Sequence, residues 1–95
     1  MTGEVREIHL VVRGRVQGVG FRWFVRERAR RWGLAGWVRN NPDGSVELAA
    51  RGDETGLVGI RRDVSTGPQG ADVEAVTDLP PDGSATDEPF TIRRA

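Results

Sequence analysis

No cysteine occurs in the 95 residues, which removes both a disulfide framework and a thiolate metal site. Histidine occurs once, so the His/Cys clusters of zinc centres are missing as well. Lysine is absent too, and every basic side chain is an arginine. No apolar run approaches the ~20 residues needed to span a bilayer. The N-terminus lacks the apolar stretch and small-residue cleavage site of a signal peptide. From these absences the expectation is a cytoplasmic protein that does not engage a membrane.

What is present fits a folded chain. Apolar residues make up 37% and charged residues 29%, which falls in the globular range and outside the disordered one. The length suits one domain with one core, spanning residues 1–95. Formal net charge is zero, but arginines concentrate before Gly52 and acids dominate after it. Such polarity can focus an anionic ligand onto the first half. The neutral total lacks the basic excess of many nucleic-acid binders, so no nucleic-acid partner is expected.

Taken in order, residues 1–5 read as a loose start. Arg6 to Arg13 alternates, with Ile8, Leu10 and Val12 on one face, the pattern of a strand burying one side. His9 has the outer parity and is expected in solvent. Phe21, Phe24, Val25, Ala29 and Trp32 recur at helical spacing and form an apolar stripe, while Trp23 lies off it. Gly33 is placed to end that helix, with Leu34 folding back onto the last turn. Ala35 to Asn40 reads as a second strand, Asn41-Pro42-Asp43-Gly44 as a turn, and Ser45 to Arg51 as the returning strand. Asp53 can cap a second helix carrying Leu57, Ile60 and Val64. Gly56 and Gly59 weaken that helix, each by about 1 kcal/mol relative to alanine. Ala71 to Leu79 has strand character, with Val73, Ala75, Thr77 and Leu79 on one parity. Pro80 to Glu88 is a polar loop, and Phe90 to Arg93 a short closing strand.

Between the first strand and the first helix lies Gly14-Arg15-Val16-Gln17-Gly18-Val19-Gly20-Phe21-Arg22. Glycines let successive N–H groups converge on one point. A loop feeding a helix start offers unpaired donors and partial positive charge, which suits phosphate. Arg22 adds a planar fork of donors. On spacing alone a tight strand-to-helix connection explains the glycines equally well, and Arg22 could simply pair with a surface acid.

The order strand, helix, strand, strand, helix, strand is the split βαβ plan. It implies an α+β ferredoxin-like sandwich, βαββαβ, in which an antiparallel sheet carries two helices on one face and a short extra C-terminal strand. A right-handed crossover makes the first two strands parallel with another strand between them. Their C-terminal ends then share one edge, bringing the glycine loop opposite Asn40. Asn41, next in sequence, competes with Asn40 for any role there.

Together with Gly36-Trp37-Val38-Arg39-Asn40 and Asp43-Gly44, the glycine-loop block resembles the acylphosphatase family over nearly the whole chain. The resemblance implies hydrolysis of carboxyl-phosphate mixed anhydrides to carboxylate and inorganic phosphate, with no metal or other cofactor. It matches Arg22 to the phosphate-binding arginine and Asn40 to the asparagine that orients water. It also matches the backbone of Arg15, Val16, Gln17, Gly18, Val19 and Gly20 to the phosphate cradle. The expected partner is thus a small acyl phosphate, acted on by a monomer. The plan also supports RNA recognition, but Ser45 to Arg51 offers no aromatic for base stacking, and Glu47 would repel phosphate. A further alternative is a phosphate- or carbamoyl-phosphate-binding domain of a larger maturation enzyme. The short chain without a cysteine-rich segment sets the expectation against it.

Overall fold

In a computed structural model the described residues are 4–94. The alternating segment forms β1 (Arg6–Arg15), two residues longer than its sequence pattern predicts. Its Leu10 and Val12 are fully buried. The apolar stripe becomes α1 (Phe21–Arg31), which buries Phe21, Val25 and Ala29 and leaves Trp23 59% exposed. Beyond α1, Gly33 N–H donates to the Arg30 carbonyl and Leu34 N–H to the Ala29 carbonyl. This pairing satisfies two carbonyls of the last turn and aims the chain at the sheet.

β2 (Ala35–Asn40) and β3 (Val46–Gly52) form the hairpin around the Asn41–Gly44 turn. Asp53 then caps α2 (Glu54–Thr66), its Oδ1 accepting from the Gly56 N–H at 2.8 Å. Despite its glycines, α2 is regular over 13 residues. β4 (Asp72–Leu79) and the two-residue β5 (Thr91–Ile92) complete the sheet, in the order β4-β1-β3-β2-β5. β1 and β2 each run antiparallel to β3 and so parallel to one another. β5 pairs with β2 in parallel, which makes the sheet mixed at that one edge.

Both helices close one face of the sheet. Leu10, Val12, Val38, Val46, Leu48 and Ala50 from the strands join Phe21, Val25, Ala29, Leu57, Ile60 and Val64 in a single core. β4 departs from its sequence parity. A register shift between Arg13 and Gly14 of β1 places both Val73 and Val76 against the core, while Ala75, Thr77 and Leu79 are exposed. A bulge of this kind adds one residue to one strand and so exchanges faces beyond it.

The opposite face of the sheet corrects the expectation for His9. It does have the outer parity, yet it is only 5% exposed. His9, Ala49 and Trp37 lie side by side across β1, β3 and β2, and the segment between β4 and β5 folds over them. Ala85 from that segment is fully buried against Trp37 and Ala49. Ser84 accepts from the Trp37 indole N–H at 3.1 Å, and the Asp87 carbonyl accepts from Gly36 N–H at 2.8 Å. His9 meets the Trp37 ring edge-on at 5.6 Å, and its Nε2 lies 2.5 Å from Glu47 Oε2. Burial by itself would raise the Glu47 carboxyl. Hydrogen bonds from His9, Arg39 and Asn41 outweigh it and bring the group below its ordinary value.

Candidate active site

Val12 of β1 and Asn40 of β2 both stand opposite Val46 of β3. The two strands therefore reach the same edge together, β1 continuing three residues to Arg15 and then into the glycine loop. That loop must turn sharply to feed α1, and Gly18 (φ 77°) and Gly20 (φ 75°) adopt left-handed backbone angles that side chains disfavour. Gly20 directly precedes α1, whose first turn has no side-chain cap and no acidic residue. Among the described residues the N–H groups of Gln17, Gly18, Val19 and Gly20 donate to no protein acceptor. The helix start is thus left open to an external anion.

A cavity of ≈ 180 Å³ opens at this edge. Gly18, Gly20, Arg22 and Asn40 line it, with Val16 and Ile92 as apolar walls and the exposed Trp23 and Arg94 beside them. Two segments remote in sequence therefore share one space. Arg22 is half-buried, and among the described residues it has no ion pair. Arg6, Arg13, Arg26, Arg28, Arg39, Arg61 and Arg93 each have a carboxylate within reach, while among the described residues Arg22 shares its lack of one with others, Arg15, Arg31, Arg51 and Arg62 among them. The surface-acid explanation of Arg22 thus finds no partner among the described residues. Its guanidinium remains able to receive an oxyanion in bidentate fashion.

Asn40 and Asn41 are separated by their surroundings. The Asn40 Oδ1 atom is buried and has no hydrogen-bond partner, an expensive state for a carbonyl oxygen unless a donor arrives. The Asn41 side chain is already committed, with Nδ2 donating to Ser45 Oγ at 3.0 Å. Within the turn, Asp43 Oδ1 accepts from Ser45 Oγ at 2.6 Å and from Ser45 N–H at 2.9 Å.

The side chains of the predicted cradle residues diverge. Arg15 is the exposed last residue of β1, and Val19 packs against the core. Gln17 turns its side chain to the hairpin, where Nε2 donates to the carbonyls of Asn41 and Ser45, each at 2.9 Å. Sequence reasoning used Gln17 only for its backbone. A carboxamide inside a glycine loop was the available signal, since such a side chain needs partners when half-buried. A larger hollow, ≈ 680 Å³, lies at the other ends of these strands, lined by Leu34, Ala35, Arg51 and Phe90 among others. It contains none of the predicted residues. The chemistry, not the volume, singles out the smaller cavity.

The Acylphosphatase family profile matches residues 8–92. An acylphosphatase of Salinibacter ruber is 45% identical over 93 residues, covering 98% of this chain and 98% of its own. Among solved structures, the acylphosphatase of Bacillus subtilis superposes with a TM-score of 0.80 at 37% identity, covering 95% of this chain and 99% of that one. An acylphosphatase from Coxiella burnetii gives 0.81 at 34% identity, over 94% and 93% of the two chains.

Proposed function

The chain belongs to the acylphosphatase family, enzymes that hydrolyse acyl phosphates, and from that premise we propose how its own residues divide the work. The phosphoryl group sits on the open N–H groups of the glycine loop and at the start of α1, with the Arg22 guanidinium on its equatorial oxygens. Asn40 Oδ1 accepts a hydrogen bond from water and holds it for in-line attack on phosphorus. The P–O bond to the acyl group breaks as the new one forms, giving carboxylate and inorganic phosphate.

The chemistry needs little more than this. The leaving carboxylate has an ordinary pKa of about 4, so it departs without protonation. Phosphoryl transfer depends chiefly on positioning and on stabilising charge at the equatorial oxygens, which Arg22 and the loop donors supply. Asn40 is no base, and its contribution is proximity and orientation. The water's proton passes to the substrate's own phosphoryl oxygens or to solvent. The observation that carries this reading is that Arg22, without an ion pair among the described residues, and Asn40, whose buried Oδ1 has no hydrogen-bond partner, line one cavity.

Benzoyl phosphate hydrolysis, followed with and without EDTA, tests it. Turnover should be unaffected by the chelator. Arg22→Ala should cost about 100- to 1,000-fold in kcat, the scale of removing one charge-stabilising donor, and should also weaken inhibition by phosphate. Asn40→Ala should cost about 100-fold in kcat while phosphate inhibition stays near its original strength. Equal activity of wild type and Asn40→Ala refutes the water-orienting role.

A further inference from the structure

The proposed site has one half on the loop after β1 and the other at the end of β2. The distance between phosphorus and the attacking water therefore depends on what holds these segments together. Backbone pairing does so only indirectly, through β3, which lies between the two strands and pairs with both as far as Val46. The direct link between the loop and the end of β2 is the Gln17 side chain. Its Nε2 carries two hydrogens, and both are used, one on the carbonyl of Asn41 and one on that of Ser45. Asn41 directly follows Asn40, and its own N–H donates to the same Ser45 carbonyl at 2.9 Å. Ser45 is buried. The end of β2 is thus clamped against the loop whose Gly18 and Gly20 line the cavity. Among the described residues, the other side-chain bond spanning this gap is Arg13 to Asp43, with both side chains 54% exposed, where such pairs hold little.

We propose that Gln17 is a positioning residue: its carboxamide sets the separation between the phosphate-holding loop and Asn40, and so acts on the attacking water through Asn40. This inference rests on the role assigned above to Asn40. Gln17→Met keeps the volume and removes the donors. The two carbonyls it leaves still accept from Gly44 N–H and Asn41 N–H, so the hairpin keeps its turn.

A double-mutant cycle on benzoyl phosphate hydrolysis separates this role from a merely structural one, with folding of each variant checked by thermal melting. Gln17→Met in the wild-type background should lower kcat about tenfold or more, since misplacement near 1 Å can cost about 100-fold. The inhibition constant of inorganic phosphate should stay within about twofold. In the Asn40→Ala background the same substitution should change kcat by less than about twofold, because the residue through which it acts is gone. Equal losses in both backgrounds, or a phosphate constant that weakens in step with kcat, overturn the role of Gln17 alone. Full activity of Asn40→Ala would sink the Asn40 assignment and the route through it together. Should Gln17→Met fail to fold, Gln17→Asn, which keeps the amide but shortens its reach, is expected to show the same pattern. A wild-type kcat in that variant rejects the proposal.

Discussion

An asparagine oxygen is too weak a base to take a proton at neutral pH, so the role proposed for Asn40 has to rest on where it is held. The holding begins in the turn that follows it. Asp43 organises that turn through the Ser45 hydroxyl, then the Ser45 N–H, then Arg13, and these bonds lower its carboxyl from 3.8 to about 2. Because the folded value lies below the ordinary one, the stabilisation is complete above pH 3.8 and drains away as pH falls toward about 2. A carboxyl titration followed by NMR should therefore place the Asp43 midpoint near 2, and Asp43→Asn should remove that part of the acid sensitivity. A midpoint at the ordinary carboxylate value would show that the turn does not grip this side chain. Asn41-Pro42-Asp43-Gly44 was legible as a turn because each residue has a local reason to be there. The commitment of Asn41 to Ser45, which leaves Asn40 as the unpartnered amide, was not. It depends on side-chain geometry that no spacing rule encodes.

At the scale of elements, the glycines of α2 show how a local cost can serve a tertiary contact. Propensity counts Gly56 and Gly59 as defects. In the fold, a Cβ on Gly59 would stand 2.2 Å from Cε2 of Trp32, whose ring lies across α2. The ring is held there by its N–H bond to Asp63 Oδ2 at 2.8 Å, with the Arg62 guanidinium 5.8 Å from its centroid. Gly59→Ala gains about 1 kcal/mol of helix propensity but displaces a pinned indole, an overpacking cost of about 1–3 kcal/mol. The expected net result is a melting temperature lower by several degrees. Trp32→Leu should relieve the clash, so the double variant should lose less than the sum of the singles. A Gly59→Ala protein that melts higher than wild type would show that the indole moves aside freely. Sequence periodicity identified α2 and its buried face correctly. It could not assign the glycines, because what crowds them, the Trp32 ring at Gly59 and the Leu34 side chain at Gly56, comes from the chain just beyond another helix.

For the molecule as a whole, the strand order follows from the handedness of crossover connections, and that rule alone brings the glycine loop and Asn40 to one edge. The second layer was hidden, because parity says which way a side chain points and not what comes to cover it. His9 and Trp37 face away from the helices, yet the segment between β4 and β5 buries both and leads directly into β5, whose Ile92 walls the cavity. If that segment is a structural layer, a charge placed under it must be costly. Ala85 is fully buried, whereas Ala75, whose parity on β4 turns it to the same face, is exposed. Ala85→Asp should therefore lose about 3 kcal/mol or more in urea unfolding, the scale of an uncompensated buried charge. Ala75→Asp should stay within about 0.5 kcal/mol of wild type. Hydrogen exchange offers an independent check, since Gly36 N–H donates to the Asp87 carbonyl and should lose protection in Ala85→Asp alone. Equal stabilities for the two variants would mean that the segment merely rests on the sheet. β5, and with it one wall of the cavity, would then be held by its pairing with β2 and not by the cover that precedes it.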